Sequence, residues 1–241
     1  MTRYTNIVIL TGAGVSAESG LGTFRDKGGL WTKYDPYKLA TPEAFSEDPE
    51  RVHAFYNMRR ASMTDAAPNA AHHSLAHWEA ARRENGAGEF LLVTQNVDDL
   101  HERAGSRSLL HMHGELDKSR CSCCGDIQPC NGDLSTAMTC ATCGKTGGLR
   151  PHVVWFGEMP FDMDRIADAL DACDLFVAIG TSGTVYPAAG FVQRVAALGQ
   201  AHTVEINLEP SEGHSSFAER TYGPASETVP RFVEDLRSSG V

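Results

Sequence analysis

IVILTGAGVSA, residues 7 to 17, decides how the rest of the chain is read. Its aliphatic, β-branched start reads as a buried strand, and the strand runs into small residues spaced G-x-G-x-x-A through Gly12, Gly14 and Ala17. Glycines there permit a tight strand-to-helix turn and close approach of backbone N–H groups to a pyrophosphate, with the next helix N-terminus adding positive potential. The same turn also serves simply to pack a strand against a helix, so the motif alone leaves both readings open. A dehydrogenase would carry an acid at the end of a second strand about 20 residues on. The chain instead runs into GTFRDKGGLW, residues 22 to 31, which argues against routine hydride transfer.

Three further apolar runs have the same character: FLLV at 90–93, LFVAI at 175–179 and TVEINL at 203–208. They lead into TQN, GTS and NLE, so small and polar residues collect at the carboxyl ends of four strands, where an open parallel sheet binds its ligand. Helical patterns lie between them at 69–85, with Asn69 as N-cap, and at 164–172, 187–198 and 226–237. The expected fold class is therefore α/β, a Rossmann-like parallel sheet with helices on both faces. Residues 27–75 hold aromatics, prolines and a helix, and residues 117–148 are rich in cysteine and glycine. Both are read as excursions that form a smaller domain, a helical insertion plus a zinc module, leaving 1–26, 76–116 and 149–241 for the sheet domain of one catalytic region.

With 241 residues, 41% hydrophobic and 22% charged, the chain has the composition of a globular protein. Its net charge of -10 disfavours a nucleic-acid partner and suits lysine-rich protein partners. The first apolar run meets glycine too soon for a signal peptide or membrane span, so a cytoplasmic location and no membrane partner are expected. Of seven cysteines, Cys121, Cys124, Cys140 and Cys143 form two C-x2-C pairs separated by fifteen residues, the pattern of a closed, structural four-thiolate zinc site. Disulfides are the alternative, disfavoured in a reducing compartment. Cys123 competes with Cys124 for a ligand position, and the C-x2-C spacing favours Cys124. Cys130 and Cys173 are read as packing cysteines.

HMHG, residues 111–114, offers two near-neutral bases, His111 and His113, where the sheet domain meets the zinc module. His72, His73 and His77 are read as solvated surface or satisfied packing. In FYNMRR, residues 55–60, a helix places Tyr56 and Arg59 on one face. The positions three and four residues from Arg59 are Phe55, Tyr56, Ser62 and Met63, so no acid lies one turn away. An exposed surface arginine is the plain alternative.

Taken in order, GAGVSAESG with GTFR (12–25), TQNVD (94–98), HG (113–114), the CxxC pairs, VVWFGE (153–158), GTS (180–182) and NLE (207–209) resemble the sirtuin family of NAD-dependent protein lysine deacylases. The Tyr-x-x-Arg pair further resembles the bacterial and mitochondrial subgroup that removes malonyl and succinyl groups. The resemblance implies an NAD site formed by Gly12, Ala13, Gly14, Ala17, Glu18, Thr23, Phe24 and Arg25 after the first strand, and by Gln95, Asn96, Val97 and Asp98 after the second. Gly180, Thr181 and Ser182, then Asn207, Leu208 and Glu209, and finally Ala225 complete it. It also implies catalytic roles for three residues: Asp98 on the nicotinamide carboxamide, Asn96 at the ribose end and His113 as general base.

The same resemblance makes Val154, Phe156, Gly157 and Glu158 a strand-forming segment for the substrate backbone, and Tyr56 and Arg59 readers of a distal acyl carboxylate. NAD is then consumed as co-substrate, the acyl oxygen attacking its anomeric carbon as nicotinamide leaves, to give free lysine and O-acyl-ADP-ribose. One structural zinc per chain, acylated lysines of proteins as partners and a monomer are expected. Two alternatives stay open: an ADP-ribosyltransferase, which would release nicotinamide without an acylated lysine, and an idle binding module, which would turn over no acyl peptide. One departure from the family is Gly22, where proline is usual, and glycine loosens the loop.

Overall fold

Every residue of the runs at 7–11, 90–94 and 175–179 is buried, the pattern of central strands covered on both faces. The structure is a computed structural model that describes residues 4–23 and 29–238; Phe24 and Arg25 lie outside the described residues. In chain order its elements begin with β1 (Ile7–Thr11), α1 (Ala13–Ala17), α2 (Leu30–Lys33), α3 (Pro42–Glu47), α4 (Pro49–Asp65) and α5 (Ala70–Glu84). Next come β2 (Phe90–Thr94), α6 (Leu100–Ala104), β3 (Leu109–His111), β4 (Gly114–Cys121), β5 (Ile127–Pro129) and β6 (Leu149–Val153). The chain ends with α7 (Met163–Ala172), β7 (Leu175–Ile179), α8 (Phe191–Leu198), β8 (His202–Asn207), β9 (Glu219–Tyr222) and α9 (Ala225–Ser238).

The large sheet is parallel throughout, in the order β3-β2-β1-β7-β8-β9, and Ile7 of β1 pairs with Phe90 of β2 on one side and Leu175 of β7 on the other. The order reverses between β1 and β7, the switch point of a doubly wound fold. Alternation along β1 divides the core: Ile7 and Ile9 pack with Leu75, Trp78, Val229 and Val233 of α5 and α9, whereas Val8 and Leu10 pack with Ile166, Leu170, Phe191 and Val195 of α7 and α8. All four expected strands are present. The pattern at 187–198 resolves into a 3-10 turn, Ala188–Gly190, followed by α8. Asn69 caps α5 as expected, accepting from Ala71 N at 3.0 Å, while His72 Nδ1 accepts from Asn69 N.

Between α2 and α4 the secondary-structure elements among the described residues are all helical. Asp48 caps α4 through Arg51 N, Pro49 fills its first turn, and Val52, Phe55, Tyr56 and Met63 pack against Leu39, Leu116, Val153 and Trp155. A second sheet, β5-β4-β6, is antiparallel and runs from Gly114 to Val153, slightly wider than the cysteine-rich stretch. The chain passes from one sheet to the other at Gly114, whose φ of +82° and 2.2 Å spacing between a built Cβ and His152 O allow no side chain. Asn57 joins α4 to the cysteine-rich loop: its amide nitrogen donates to Leu134 O at 2.9 Å, and its oxygen accepts from Leu134 N and Arg60 Nη1. Arg60 Nε donates to Leu116 O at 2.7 Å.

Candidate functional site

The glycines after β1 interlock with the turn after β7. Gly12 N donates to Ile179 O and Gly14 N to Gly180 O, both at 2.9 Å. A Cβ on Gly12 would sit 2.7 Å from Gly180 O, one on Gly14 2.8 Å from Gly180 Cα, and one on Gly180 2.5 Å from Val15 N. These glycines therefore let two strand-end turns touch. The N–H groups of both Gly12 and Gly14 are thus held by carbonyls of β7 and its turn, so neither is free to donate to a pyrophosphate, a correction to the expectation for this motif.

Above the joined turns opens a cleft of about 940 Å³. Gly12, Ala13, Gly14, Ala17, Glu18 and Thr23 line it from the first turn, and Gln95, Asn96 and Val97 from the second. Gly180, Thr181, Ser182, Asn207, Leu208, Glu209 and Ala225 close that side. The walls are fixed from below. Gln95 Nε2 donates to Thr181 Oγ1 at 3.1 Å and Asn207 Nδ2 to Thr181 O at 2.9 Å. Asn96 Nδ2 donates to Gly12 O and Ser16 Oγ, each at 3.1 Å, which leaves its carbonyl oxygen as the end free to accept. Glu18 caps α9, accepting from Ser226 N at 3.0 Å and from the Ser226 hydroxyl. Asp98 is buried beneath the cleft rather than lining it, and accepts from Leu100 N at 3.2 Å. Burial pushes its carboxyl upward, opposed by the Leu100 N–H and the Ser16 hydroxyl.

His72 is fully buried against Ser16, and burial followed by the neighbouring His73 pushes it down to about 4, so it packs as a neutral ring. His73 and His77 are exposed.

His111 and His113 are separated by their partners. His113 Nδ1 lies 3.1 Å from Gln95 O, and a carbonyl only accepts, so the neutral ring carries its proton on Nδ1 and its lone pair on Nε2. Burial lowers its pKa, opposed by the Gln95 contact, and His113 lines the cleft. His111 meets acceptors at both nitrogens, Asn96 O at 3.0 Å and Glu102 Oε1 at 2.6 Å. Burial again opposes charge there, but the Glu102 hydrogen bond and charge, with the Asn96 and Glu115 contributions, turn the net shift upward. His111 is thus held between two acceptors with its pKa shifted upward, and does not line the cleft.

The opposite wall comes from α4 and the turn after β6. Tyr56 and Arg59 both line the cleft, with Arg59 Cζ 5.9 Å from the Phe55 and Tyr56 ring centroids. Arg59 is half-buried, which removes the surface-arginine reading. Burial lowers its pKa, opposed by Tyr56 and Asp98. The Tyr56 hydroxyl accepts from Trp155 Nε1 at 3.0 Å, and burial pushes the phenol up to about 12.

Val154, Phe156, Gly157 and Glu158 also line the cleft, but as a turn. Gly157 has φ +89°, Val154 N donates to His113 O at 2.8 Å and Phe156 N to Ala40 O at 2.9 Å. Those two N–H groups are therefore already held by the protein. The Glu158 carboxylate is held by Arg150, at 2.6 and 2.9 Å, and by Trp155 N at 2.8 Å. Sequence reasoning passed over Trp155 and the Thr184–Val185–Tyr186 wall. A tryptophan inside VVWFGE was a usable signal, because a buried indole N–H needs an acceptor.

In the cysteine module, the Cys121–Cys143 and Cys124–Cys140 sulfurs are each 3.7 Å apart, and all four lie within 4.8 Å of one another. Sulfurs about 2.3 Å from a central zinc at tetrahedral angles would be about 3.8 Å apart, so the residues fit that ion. Cys123 stands outside the group, its N–H directed at Cys121 Sγ, while Cys130 and Cys173 are buried.

The Sir2 family pattern matches residues 12–187. The chain is 59% identical over 236 residues to the NAD-dependent protein deacylase of Caulobacter vibrioides, covering 98% of both chains. It is 55% identical over 232 residues to the protein of the same name in Escherichia coli (strain K12), covering 95% of this chain and 81% of that one. A solved Sir2 homolog–NAD complex superposes with a TM-score of 0.86 at 38% identity, over 99% of this chain and 91% of the other. Sir2 bound to acetylated peptide superposes with a TM-score of 0.80 at 27% identity, over 97% and 94%.

Proposed function

Because this chain belongs to the Sir2 family, we propose that it removes acyl groups from protein lysines at the expense of NAD, accepting malonyl and succinyl as well as acetyl groups. One observation carries the acyl assignment. A single cleft holds a neutral histidine, His113, on one side and a half-buried guanidinium beside a protonated phenol, Arg59 and Tyr56, on the other. An acetyl group offers nothing for that cation to meet, whereas a distal carboxylate offers a charge-assisted partner.

NAD, when bound, supplies the anomeric carbon that the lysine acyl oxygen attacks as nicotinamide leaves. The turns at Gly12–Thr23, Gln95–Val97, Gly180–Ser182 and Asn207–Glu209, with Ala225, would hold it. The acceptor oxygen of Asn96 orders the ribose end, and Asp98 acts on the carboxamide from its buried position. His113 accepts a ribose hydroxyl proton at Nε2, the nitrogen left with a lone pair by the Gln95 contact. The Val154–Glu158 turn is the docking edge for the substrate backbone. Cys121, Cys124, Cys140 and Cys143 would hold a zinc ion that supplies folding energy.

The products are free lysine, nicotinamide and O-acyl-ADP-ribose, and the acidic surface suits lysine-rich targets. Among the described residues no helix is long and apolar enough to cross a membrane, and we place the enzyme in the cytoplasm as a monomer. The test is nicotinamide release from one lysine peptide in unmodified, acetyl, malonyl and succinyl forms. Release with all three acyl forms and none with the unmodified peptide is expected. Release without an acyl group would indicate ADP-ribosyl transfer, and no release at all an idle module.

A further inference from the structure

The Tyr56 hydroxyl oxygen accepts from Trp155 Nε1 at 3.0 Å. An indole N–H donates and never accepts. The contact therefore occupies a lone pair of the phenol and directs the hydroxyl hydrogen to some other acceptor. Trp155 is itself anchored by two residues that are paired with each other. Its backbone N donates to Glu158 Oε2 at 2.8 Å, its ring lies 3.3 Å from the Arg150 guanidinium carbon, and Arg150 forms a two-point pair with Glu158 at 2.6 and 2.9 Å. Arg150 also donates to Val153 O at 2.8 Å, so the indole cannot swing away without disturbing a charge-assisted pair. A phenol held this way is a donor of fixed direction in the wall that carries Arg59.

We propose that Trp155 determines acyl selectivity by holding Tyr56 as a hydrogen-bond donor toward the distal carboxylate of malonyl- and succinyl-lysine. This rests on the reading that Tyr56 and Arg59 receive an acidic acyl group. Trp155 is a positioning residue: it acts on the acyl group through the phenol. Acetyl-lysine ends in a methyl group that accepts no hydrogen bond, so the same arrangement gives it no advantage. Preorganising one donor lowers the cost of ordering it on binding, and the effect falls on KM for acidic substrates.

The test is a double-mutant cycle of Trp155→Phe and Tyr56→Phe, read as kcat and KM on matched succinyl and acetyl peptides. Phenylalanine keeps an aromatic ring and removes the N–H. Trp155→Phe should lower the succinyl-to-acetyl ratio of kcat/KM by about 3- to 10-fold, carried by the succinyl KM. In the Tyr56→Phe background the same change should move the ratio less than about 2-fold, because the hydroxyl through which it acts is gone. Equal losses on both peptides, or additive losses in the double variant, would overturn the proposal. Should Trp155→Phe fail to fold, benzothienylalanine at position 155, which keeps the ring shape and lacks the N–H, carries the same prediction. Arg59→Met separates the two layers. If it leaves the ratio unchanged, the acidic-acyl reading falls and the proposal with it; if it collapses the ratio while Trp155→Phe does not, the reading stands and the proposal alone is wrong.

Discussion

The two walls of the cleft are made of different material. The strand-end wall is main chain and small residues, set by the register of β1 against β7 and by glycines that admit no Cβ. The facing wall is long side chains, Tyr56, Arg59 and Trp155, carried by α4 and a turn whose own anchors are Asn57–Leu134 and Arg150–Glu158. A backbone wall presents the same groups to every substrate. A side-chain wall can be altered one group at a time, and that is where selectivity between acyl groups belongs. Damage to the first wall should lower turnover on all acyl peptides together, and damage to the second should separate them.

The largest expected effect removes the support of the second wall. Structural zinc contributes about 10–16 kcal/mol of apparent binding free energy in small zinc modules, so Cys140→Ser should lose the metal and lower the melting temperature sharply. Cys123→Ser should keep both. Metal content and melting curves of the two purified variants check this, and zinc loss from Cys123→Ser would show that the wrong neighbour was chosen.

Next comes the base, which serves both kinds of substrate. His113→Tyr should lower kcat by about 10²- to 10⁴-fold on acetyl and succinyl peptides alike, with NAD affinity by calorimetry retained. His111→Ala should be milder. The pH profile distinguishes the two histidines independently. A base must be neutral to act, and the His113 pKa is lowered, so the acidic fall in kcat/KM should lie below 6.5, the ordinary histidine value. The His111 pKa is raised, so a base at that position would place the fall above 6.5.

The smallest effect concerns Gly22, next to Thr23 at the edge of the cleft. Among the described residues a Cβ on Gly22 meets nothing within 4 Å, and the residue does not sit in the left-handed region. Gly22→Pro should therefore stiffen the unfolded chain and the loop together, an effect of about 0.4–1 kcal/mol. KM for NAD should fall by about 2- to 5-fold, equally for every acyl peptide. A rise in KM would mean that the loop needs its freedom.

How much of this was legible in the sequence follows the same division. β1, β2, β7 and β8 announce themselves as apolar runs because both their faces are buried. β3, three residues ending in His111, and β9, the partly exposed Glu219–Tyr222, carry no such run and are fixed by pairing with β2 and β8. The glycine turn was readable as a motif, but its fit against Gly180 was not, since the two turns meet only when β1 and β7 are adjacent. In HMHG the two histidines are equivalent by type. Gln95 O and Glu102 Oε1, supplied by other parts of the chain, separate them. Tyr56 and Arg59 could be placed on one helical face by spacing, whereas the donor behind Tyr56 is Trp155, almost a hundred residues away.

The central claim is that the α4 wall recognises an acidic acyl group through Arg59, and competition tests it most directly. Wild type and Arg59→Met are each given equal concentrations of succinyl and acetyl versions of one peptide at saturating NAD, and the two O-acyl-ADP-ribose products are measured by mass spectrometry. Charged hydrogen bonds contribute about 1.5–3 kcal/mol each, so the succinyl-to-acetyl product ratio should fall about 10- to 100-fold in the variant, with acetyl turnover held or raised. An unchanged ratio, with both products reduced together, would contradict the account and make Arg59 a support of the fold.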